Sequence, residues 1–304
     1  MRLTIGTRGS QLALIQAESV RDQLLAQHTG LEIRLEVIRT LGDRTRGSLR
    51  RFGGRGVFTS ELQAALLDGR IHLAVHSLKD LPTTGPPQLV LVATPPREDV
   101  RDVLVAQRAC SLDELPPGAT VGTGSPRRQA QLLALRPDLR PVDLRGNLDT
   151  RITRVTDGEL DAVVLAAAGL HRLGWAGRIS AYLQPEQMLP APGQAALGLQ
   201  MRADADQAPL VQALNHPHTF QAVTAERALL AALGGGCHAP MGAWGRIRAG
   251  MLLLSGAVGN PDGSRVVRRI CRGAPEAAAA LGHRLAAALR AAGAEPMLAE
   301  RPAP

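Results

Sequence analysis

The chain has a single lysine, Lys79, and it lies directly before an aspartate in the run His76-Ser77-Leu78-Lys79-Asp80. The other 34 of its 35 basic residues are arginine. A lysine ammonium is compact and carries three donors, whereas an arginine guanidinium is a wide planar fork, so the two differ at a tight anion site. We therefore interpret Lys79 as a functional residue, with an accident of composition as the alternative.

Asp80 is the second candidate for chemistry. A carboxylate among cations is held ionised by its neighbours. It could then stabilise a developing positive charge, or accept and return a proton. The alternative is an aspartate that only forms an ion pair with Lys79.

Basic residues recur at the turns that follow predicted strands. They are Arg8, Lys79, Arg127, Arg128, Arg145, Arg151 and Arg172. Helix N-termini at such turns favour anions, and arginine binds carboxylates or phosphates through paired hydrogen bonds. The pattern predicts a ligand with many negative groups, with solvated surface arginine as the alternative for any single position.

Cys237 lies in the glycine-rich run Gly234-Gly235-Gly236-Cys237-His238. Three glycines free the backbone to present the thiol on a loop, and the adjacent histidine could help to form the thiolate. A buried inert cysteine is the usual alternative. Because no further metal ligands occur at suitable spacing, we interpret Cys237 as a covalent attachment point and expect no metal.

The elements that must position these residues alternate between strand and helix over the first two-thirds of the chain. Strands are predicted at 3–5, 33–37, 71–75, 119–121, 141–144 and 161–166, and helices from 10 (with Ser10 as N-cap), at 58–67, 127–135 and 148–155. Two such series predict two α/β domains with mainly parallel sheets, which bind ligands at the carboxyl ends of their strands. The basic turns lie at those ends.

Two proline-rich segments divide the chain. Pro95-Pro96 and 190–193 predict the crossings between a first domain (1–95 with 196–215) and a second domain (100–190). From 218 to 304 the pattern changes to a helix at 221–233, strands near 245–258 and 264–271, a helix at 275–291 and a frayed tail at 295–304. We interpret this part as a small α+β domain.

Composition excludes several classes of protein. The net charge of +8 implies an acidic partner, but only 2% of the residues are aromatic and the basic residues form no long block, which disfavours nucleic acid. Three scattered cysteines indicate neither a disulfide framework nor a cysteine-rich metal site. No signal peptide or membrane span is evident, and we expect a cytoplasmic protein.

Taken together, the motifs resemble the porphobilinogen deaminase (hydroxymethylbilane synthase) family over roughly residues 3–260. The similarity runs through segments 5–14, 53–58, 74–82, 127–132, 144–147, 165–170, 192–194, 226–227 and 235–237. The family joins four porphobilinogen molecules head to tail, releases ammonia, and frees a linear tetrapyrrole with water. Its primer is a dipyrromethane, one per chain, fixed by a thioether to a cysteine. Because each pyrrole carries an acetate and a propionate, the growing chain gathers carboxylates.

The resemblance implies a role for each site residue. Asp80 would be catalytic, would hydrogen-bond the pyrrole N–H groups and would stabilise the azafulvene-like cation left when ammonia departs. The cofactor would be bound by Cys237, Ser77, Lys79, Thr123, Ser125, Arg127, Arg128, Arg145 and Gly146. The substrate would be bound by Arg8, Ser10, Phe58, Arg145, Arg151, Arg172 and Gln194.

The same resemblance implies two similar periplasmic-binding-protein-like α/β domains flanking a cleft, with the small third domain carrying Cys237. It also implies a monomer that uses no nucleic acid, membrane or metal, and a handover of product to the next pathway enzyme. The chain departs from the family at Gly124, where serine is usual, at Pro126, at Arg55, where lysine is common, and at Pro192, where valine is common. Individual contacts there are in question.

Two other functions stay open at this level. A two-domain solute-binding protein for a small polyanion would bind without turnover, although the chain begins without an export signal. A nucleic-acid-binding protein rests on charge alone and would require a steep salt dependence of affinity.

Overall fold

A computed structural model describes residues 1–40, 58–235 and 239–299 of the chain. Among the helices of these ranges, none combines the length and the apolar character that crossing a bilayer requires. The chain separates into two compact units. Unit 1 comprises Met1–Glu98 and Ala195–Phe220, and unit 2 comprises Asp99–Gln194 and Gln221–Pro304.

Unit 1 is built on a five-stranded sheet with the strand order β2-β1-β3-β10-β4. Its strands are β1 (Arg2–Thr7), β2 (Glu32–Val37), β3 (Leu73–Ser77), β4 (Leu89–Ala93) and β10 (Leu197–Arg202). Helix α1 (Gln11–Gln27) follows β1, and helix α2 (Ser60–Leu67) directly precedes β3. β1 pairs in parallel with β2 and β3, whereas β10 runs antiparallel to both of its neighbours. Four of the five strands therefore run in one direction.

The α/β part of unit 2 repeats this arrangement, with the strand order β7-β6-β8-β5-β9. The strands are β5 (Asp102–Ala106), β6 (Thr120–Gly122), β7 (Arg140–Val142), β8 (Ala162–Ala166) and β9 (Ala181–Leu183). The helices are α3 (Pro126–Leu135), α4 (Leu148–Thr156) and α5 (Ala167–Arg172). The strand β5 is the antiparallel one here, and it follows directly after the chain enters the unit.

The rest of the described chain forms a smaller α+β part. The hairpin β11 (Met241–Arg248) and β12 (Met251–Gly259) pairs with β13 (Val266–Gly273) in an antiparallel sheet. Helix α6 (Ala208–Gln212) belongs to unit 1, and α7 (Pro217–Ala232) runs across the unit boundary at Phe220. The last helices, α8 (Ala278–Ala291) and α9 (Glu295–Ala299), belong to the smaller α+β part. One face of this sheet supplies Ala243, Leu254 and Val267 to a core that also contains Leu285 and Leu289 of α8.

A buried carboxylate fixes this sheet within unit 2. Glu226 is fully buried and accepts hydrogen bonds from the backbone N–H groups of Gly193 and Gly245, each at 2.7 Å. Gly193 has a positive φ of 74°, which suits glycine. A buried ionisable side chain satisfied by backbone donors in this way holds two distant segments in register.

The predicted α/β class with a small C-terminal sheet domain is confirmed. Ser10 is the N-cap of α1, as predicted, and its hydroxyl accepts from the N–H of Ala13. The strands β4, β5, β9 and β10 were not predicted, because short apolar runs without alternation carry little strand signal. The strands predicted near 245–258 are the hairpin β11–β12, which turns at Ala249 and Gly250. The tail was wrongly predicted to be frayed over 295–299, since Met297 is buried against the core and α9 forms there.

Candidate active site

The first basic turn of unit 1 connects β1 to α1. Ser10 Oγ accepts from the N–H of Ala13 at 3.3 Å, and Thr7 Oγ1 donates to the carbonyl of Ala13 at 2.9 Å. These bonds satisfy the helix end and fix the turn on both sides of Arg8. The guanidinium of Arg8 lies 4.1 Å over the ring of Phe58, so the structure brings these two predicted substrate residues together.

The turn after β3 carries Lys79 and Asp80 on a short 3₁₀ helix, Leu78–Asp80. Leu78 is buried, and its N–H donates to the carbonyl of Ala196 at 2.9 Å. A Cβ at Gly198 would lie 2.8 Å from the Leu78 side chain, so glycine lets β10 approach this closely. The turn is therefore anchored from below by Leu78, and it leaves Lys79 and Asp80 half-buried beside each other.

Ser77, at the end of β3, is already engaged inside unit 1. Its Oγ donates to Oε1 of Gln16 in α1 at 3.1 Å. The hydroxyl oxygen keeps its acceptor capacity. Its predicted role in binding the cofactor stays a prediction.

Asp80 is the one acidic side chain of this turn. Within the described ranges its carboxylate has neither a hydrogen bond nor an ion pair, so the alternative of a simple pair with Lys79 is not what the structure contains. A half-buried carboxylate without an internal partner keeps all its lone pairs for a ligand. This is the property that a residue acting on bound N–H groups requires.

The corresponding turn of unit 2 connects β6 to α3. Ser125 is the N-cap of α3, and its Oγ accepts from the N–H of Arg128 at 3.4 Å. Thr123 Oγ1 accepts from the N–H of Ser125 at 3.2 Å. A Cβ at Gly124 would lie only 2.8 Å from the backbone carbonyl oxygen of Leu144. The glycine that departs from the family pattern therefore fits a close approach of two backbone segments.

Arg127 and Arg128 point inward onto a carboxylate that the sequence analysis missed. Arg127 NH1 donates to Asp102 Oδ2 at 2.6 Å and to the carbonyl of Leu189 at 2.7 Å. Arg128 donates to Asp102 Oδ1 through Nε at 3.1 Å and NH2 at 2.7 Å, and to the carbonyl of Val164. Asp102 is fully buried. The three groups together keep one net positive charge.

Gln194 completes this cluster. Its Nε2 donates to Asp102 Oδ1 at 3.0 Å and to the carbonyl of Val100 at 2.8 Å, and the residue is fully buried. The structure thus gives Gln194 a supporting contact to Asp102, and the predicted contact to substrate stays a prediction. The sequence signal that could have identified Asp102 is its position as a lone charged residue directly before the apolar run Val103-Leu104-Val105.

The electrostatics of Asp102 follow from its neighbours. Burial opposes ionisation, but the charges and hydrogen bonds of Arg127 and Arg128 outweigh it and hold the pKa of Asp102 well below its usual range. Burial in turn lowers the pKa of Arg127, which Asp102 partly offsets. Among the described residues Arg127 Nε is buried without a hydrogen-bond partner, so the cluster still has donor capacity.

Arg145, Gly146 and Arg151 lie around the start of α4. Arg145 Nε donates to Asp143 Oδ2 at 3.3 Å, and Arg151 Nε donates to the carbonyl of Gly146 at 2.8 Å. Gly146 has a φ of 109°, which disfavours other residues. Arg172 ends α5, the helix after β8. Arg145 therefore lies on the loop that follows β7, as predicted. The prediction of a turn position is wrong for Arg151, which lies in the first turn of α4, and for Arg172, which lies at the C-terminal end of α5.

A dipyrromethane fits the residues that the structure shows. Such a group offers several carboxylates, and unit 2 offers cationic and hydroxyl donors at the N-terminus of α3, together with the unpaired Arg127 Nε. Cys237, the predicted attachment point, and Arg55 lie outside the described residues.

The α/β fold and its basic turns are those of a protein suited to an anionic ligand, and two family models identify the class of protein. Residues 3–209 match the porphobilinogen deaminase dipyromethane cofactor binding domain, and residues 220–291 match the porphobilinogen deaminase C-terminal domain. The similarity thus extends to 291, beyond the limit near 260 expected from motifs.

Two relatives are named porphobilinogen deaminase. The protein from Roseiflexus castenholzii is 48% identical over 299 residues, and the protein from Chromobacterium violaceum is 47% identical over 300 residues. Each alignment covers 98% of this chain, with 98% and 97% of the respective relative. The chain belongs to the porphobilinogen deaminase family. It is accordingly a hydroxymethylbilane synthase of tetrapyrrole biosynthesis with a dipyrromethane cofactor, and a solute-binding role is not favoured.

Among solved structures, a periplasmic substrate-binding protein of an ABC transporter from Coxiella burnetii aligns with 15% identity and a TM-score of 0.45. The alignment covers 70% of this chain and 89% of that one. This likeness carries no argument about function.

Proposed function

We propose that Asp80 is the catalytic carboxylate and that the basic turns mainly hold carboxylates of the substrate chain. The observation that carries this proposal is that Asp80 has no internal partner in the described chain although its turn is firmly anchored. When ammonia leaves porphobilinogen, a positive charge develops on the pyrrole. A fixed, ionised carboxylate beside the pyrrole N–H would stabilise that charge without reorganisation.

The binding residues divide between the units. In unit 1, Arg8 with Phe58 supplies a cation on an aromatic surface, and Ser10, Ser77 and Lys79 lie on the neighbouring turns. In unit 2 the carboxylates would be bound by Thr123, Ser125, Arg127, Arg128, Arg145, Gly146, Arg151, Arg172 and Gln194. Paired guanidinium hydrogen bonds suit acetate and propionate groups.

Cys237 would carry the cofactor through a thioether. When bound, the dipyrromethane supplies the free pyrrole position to which the first substrate unit is added. The glycine-rich run around Cys237 and the family membership support this assignment. The residues of α3 and its turn would hold its carboxylates.

Asp80→Asn tests the catalytic assignment. It keeps the shape and removes the charge, so we expect turnover to fall on the order of a hundredfold or more, as for removal of a positioned catalytic group. Single-turnover release of ammonia from porphobilinogen measures this step. Asp206→Asn, an exposed aspartate of the same unit, is the control and should turn over normally. Turnover of Asp80→Asn close to that of the control would refute the assignment.

Intact mass tests the attachment at Cys237. The purified chain should exceed its sequence mass by roughly two pyrrole units, because a thioether survives denaturation. Cys237→Ser should show the sequence mass alone, while Cys110→Ser, at an exposed cysteine, should keep the added mass. Active protein with the bare sequence mass would contradict the proposal.

We further propose three domains, 1–95 with 196–215, 100–190 and 218–304, in a cytoplasmic monomer that passes its product to the next enzyme of the pathway. The unit boundaries after Glu98 and Gln194 support the two crossings. The separate sheet β11–β13 supports the third domain. Size-exclusion chromatography with light scattering should give the mass of one chain, 32.1 kDa plus cofactor. The mass of a dimer would contradict the proposal that the protein is a monomer.

A further inference from the structure

A recess opens on the outer face of the sheet β11–β13, within unit 2. Trp244 and Arg246 of β11 lie on this face, and Ile270 and Arg268 of β13 lie on it too, because alternate residues of a strand point to opposite faces. The segment Pro185–Leu189 forms the other wall. The cavity volume is about 100 Å³. Neither the catalytic assignment nor the family similarity gives this recess a role.

The recess is lined by more positive charge than negative charge. The lining contains Arg246 and Arg268 of the outer face, Arg269 beside them on the edge strand β13, and a single carboxylate, Glu186, which gives a formal charge of +2. Within the described residues none of the three arginines forms an ion pair. Elsewhere in this unit the guanidiniums of Arg101, Arg136 and Arg290 each have a carboxylate partner. Uncompensated charge of this kind favours an anion.

The two central arginines are held in place by neutral groups. The guanidinium of Arg246 lies 4.1 Å over the ring of Trp244, and its NH1 donates to Ser255 Oγ at 3.3 Å. Arg268 donates to the carbonyls of Glu186 and Gln187, each at 2.7 Å. Cations fixed before a ligand arrives lose little conformational entropy on binding.

Both central guanidiniums are also partly removed from water. Burial lowers the pKa of Arg246, with a further decrease from the charge of Arg248 that Glu186 partly offsets. Burial lowers the pKa of Arg268 as well, and Glu186 again opposes it. A partly desolvated cation without a counter-charge costs free energy, which a bound anion would offset.

The size of the recess limits the ligand. Small-molecule sites usually measure about 300–1,000 Å³, so this recess is too small for a dipyrrole with its acid side chains. We propose that it binds a compact oxyanion carrying two negative charges: inorganic phosphate, or the phosphate group of a monoester. The charge of −1.5 to −2 on a phosphate group near pH 7, about the value for phosphorylated side chains, matches the +2 of the lining.

The test uses the full holoenzyme and the indole of Trp244 as the reporter. The chain has two tryptophans, so Trp175→Phe leaves Trp244 as the only one. Inorganic phosphate is titrated in at constant ionic strength while Trp244 emission is followed, and equilibrium dialysis counts bound phosphate independently. We expect saturable binding that Arg246→Gln, made in the same background, weakens about tenfold or more, because it removes a charge-assisted hydrogen bond.

Three controls separate the outcomes. Arg140→Gln, at an exposed arginine of the same unit that does not line the recess, should leave phosphate binding unchanged, and Arg246→Gln should keep normal turnover of porphobilinogen. Methyl phosphate distinguishes a phosphate monoester from the free ion as the ligand. If methyl phosphate binds more tightly than inorganic phosphate, the ligand is a monoester, and if it binds more weakly, the ligand is inorganic phosphate. A linear response, equal affinity in Arg246→Gln, or acetate binding as tightly as phosphate would overturn the proposal.

Discussion

The two α/β sheets share one strand order, yet they use their carboxylates in opposite ways. In unit 1 Asp80 lies half-buried on the turn after β3, and no residue of the described chain pairs with it. In unit 2 Asp102 starts the antiparallel strand β5, is fully buried, and accepts hydrogen bonds from Arg127, Arg128 and Gln194. The same side chain is therefore left for a ligand in one unit and used for support in the other.

The difference shows how one strand order accommodates both support and chemistry. The basic turns of unit 2 need a buried anion because two adjacent guanidiniums repel each other, and Asp102 supplies it. The turn of unit 1 is anchored by an apolar side chain, Leu78, so it does not need the charge of Asp80. Each prediction below tests a part of this contrast.

The largest effect is expected for Asp102→Asn. It leaves Arg127 and Arg128 buried without their carboxylate, and loss of one partner from a buried ion pair costs about 3–5 kcal/mol. Urea unfolding measures the difference. Asp80→Asn should change the free energy of unfolding by only about 0.5 kcal/mol, as a substitution outside any internal network does. Similar losses in the two variants would remove the contrast between the units.

The next largest effect is expected for Lys79→Arg, which tests whether the residue beside Asp80 must be a lysine. The wider guanidinium would crowd the carboxylates of the substrate and compete for Asp80, and a misplacement of about 1 Å can cost on the order of a hundredfold in rate. Steady-state turnover at saturating porphobilinogen measures it, with exposed Arg34→Lys as the matched swap. Lys79→Gln should bind substrate more weakly still. Equal rates for Lys79→Arg and the wild type would make the single lysine an accident of composition.

Gly124→Ser would restore the residue usual in the family, but we expect it to destabilise this chain. Its Cβ would meet the Leu144 carbonyl oxygen at 2.8 Å, and forcing an atom into such a contact costs roughly 1–3 kcal/mol. Gly177→Ser is the control, because nothing lies within 4 Å of a Cβ there. Thermal unfolding compares the two. A Gly124→Ser protein as stable as the control would show that the turn can shift.

The smallest effect is the dependence of stability on pH. Because the folded-state pKa of Asp102 is lowered, its ionised form stabilises the fold above the unfolded pKa of about 3.9, and this contribution declines as the pH falls further. The gap in unfolding free energy between wild type and Asp102→Asn should therefore narrow between about pH 5 and pH 3. Urea unfolding across this range measures it. A constant gap would mean that the arginines do not depend on the charge of Asp102.

Local patterns predicted the parts of the site that local contacts build. The cap at Ser10, the strands β1 and β2 and the basic turns after β6 and β7 all follow from residue spacing within a few positions. The partner of Arg127 could not be found in this way, because Asp102 lies 25 positions away and joins it only after β5 has entered the sheet. The place of β10 in the sheet could not be predicted for the same reason, since its neighbours β3 and β4 lie in a distant part of the sequence.

The position of β10 in the sheet also determines the order in which the chain can fold during synthesis. In the described chain β4 pairs only with β10, and from Ala93 to Leu197 the sequence advances 104 positions. At about 5–20 residues per second, a ribosome needs roughly 5 to 20 s for that stretch. The second five-stranded sheet, which ends at Leu183, is complete on the nascent chain before the first one can close. Until then β4 is a newly made apolar strand with an open edge, and it is the segment that a chaperone would protect.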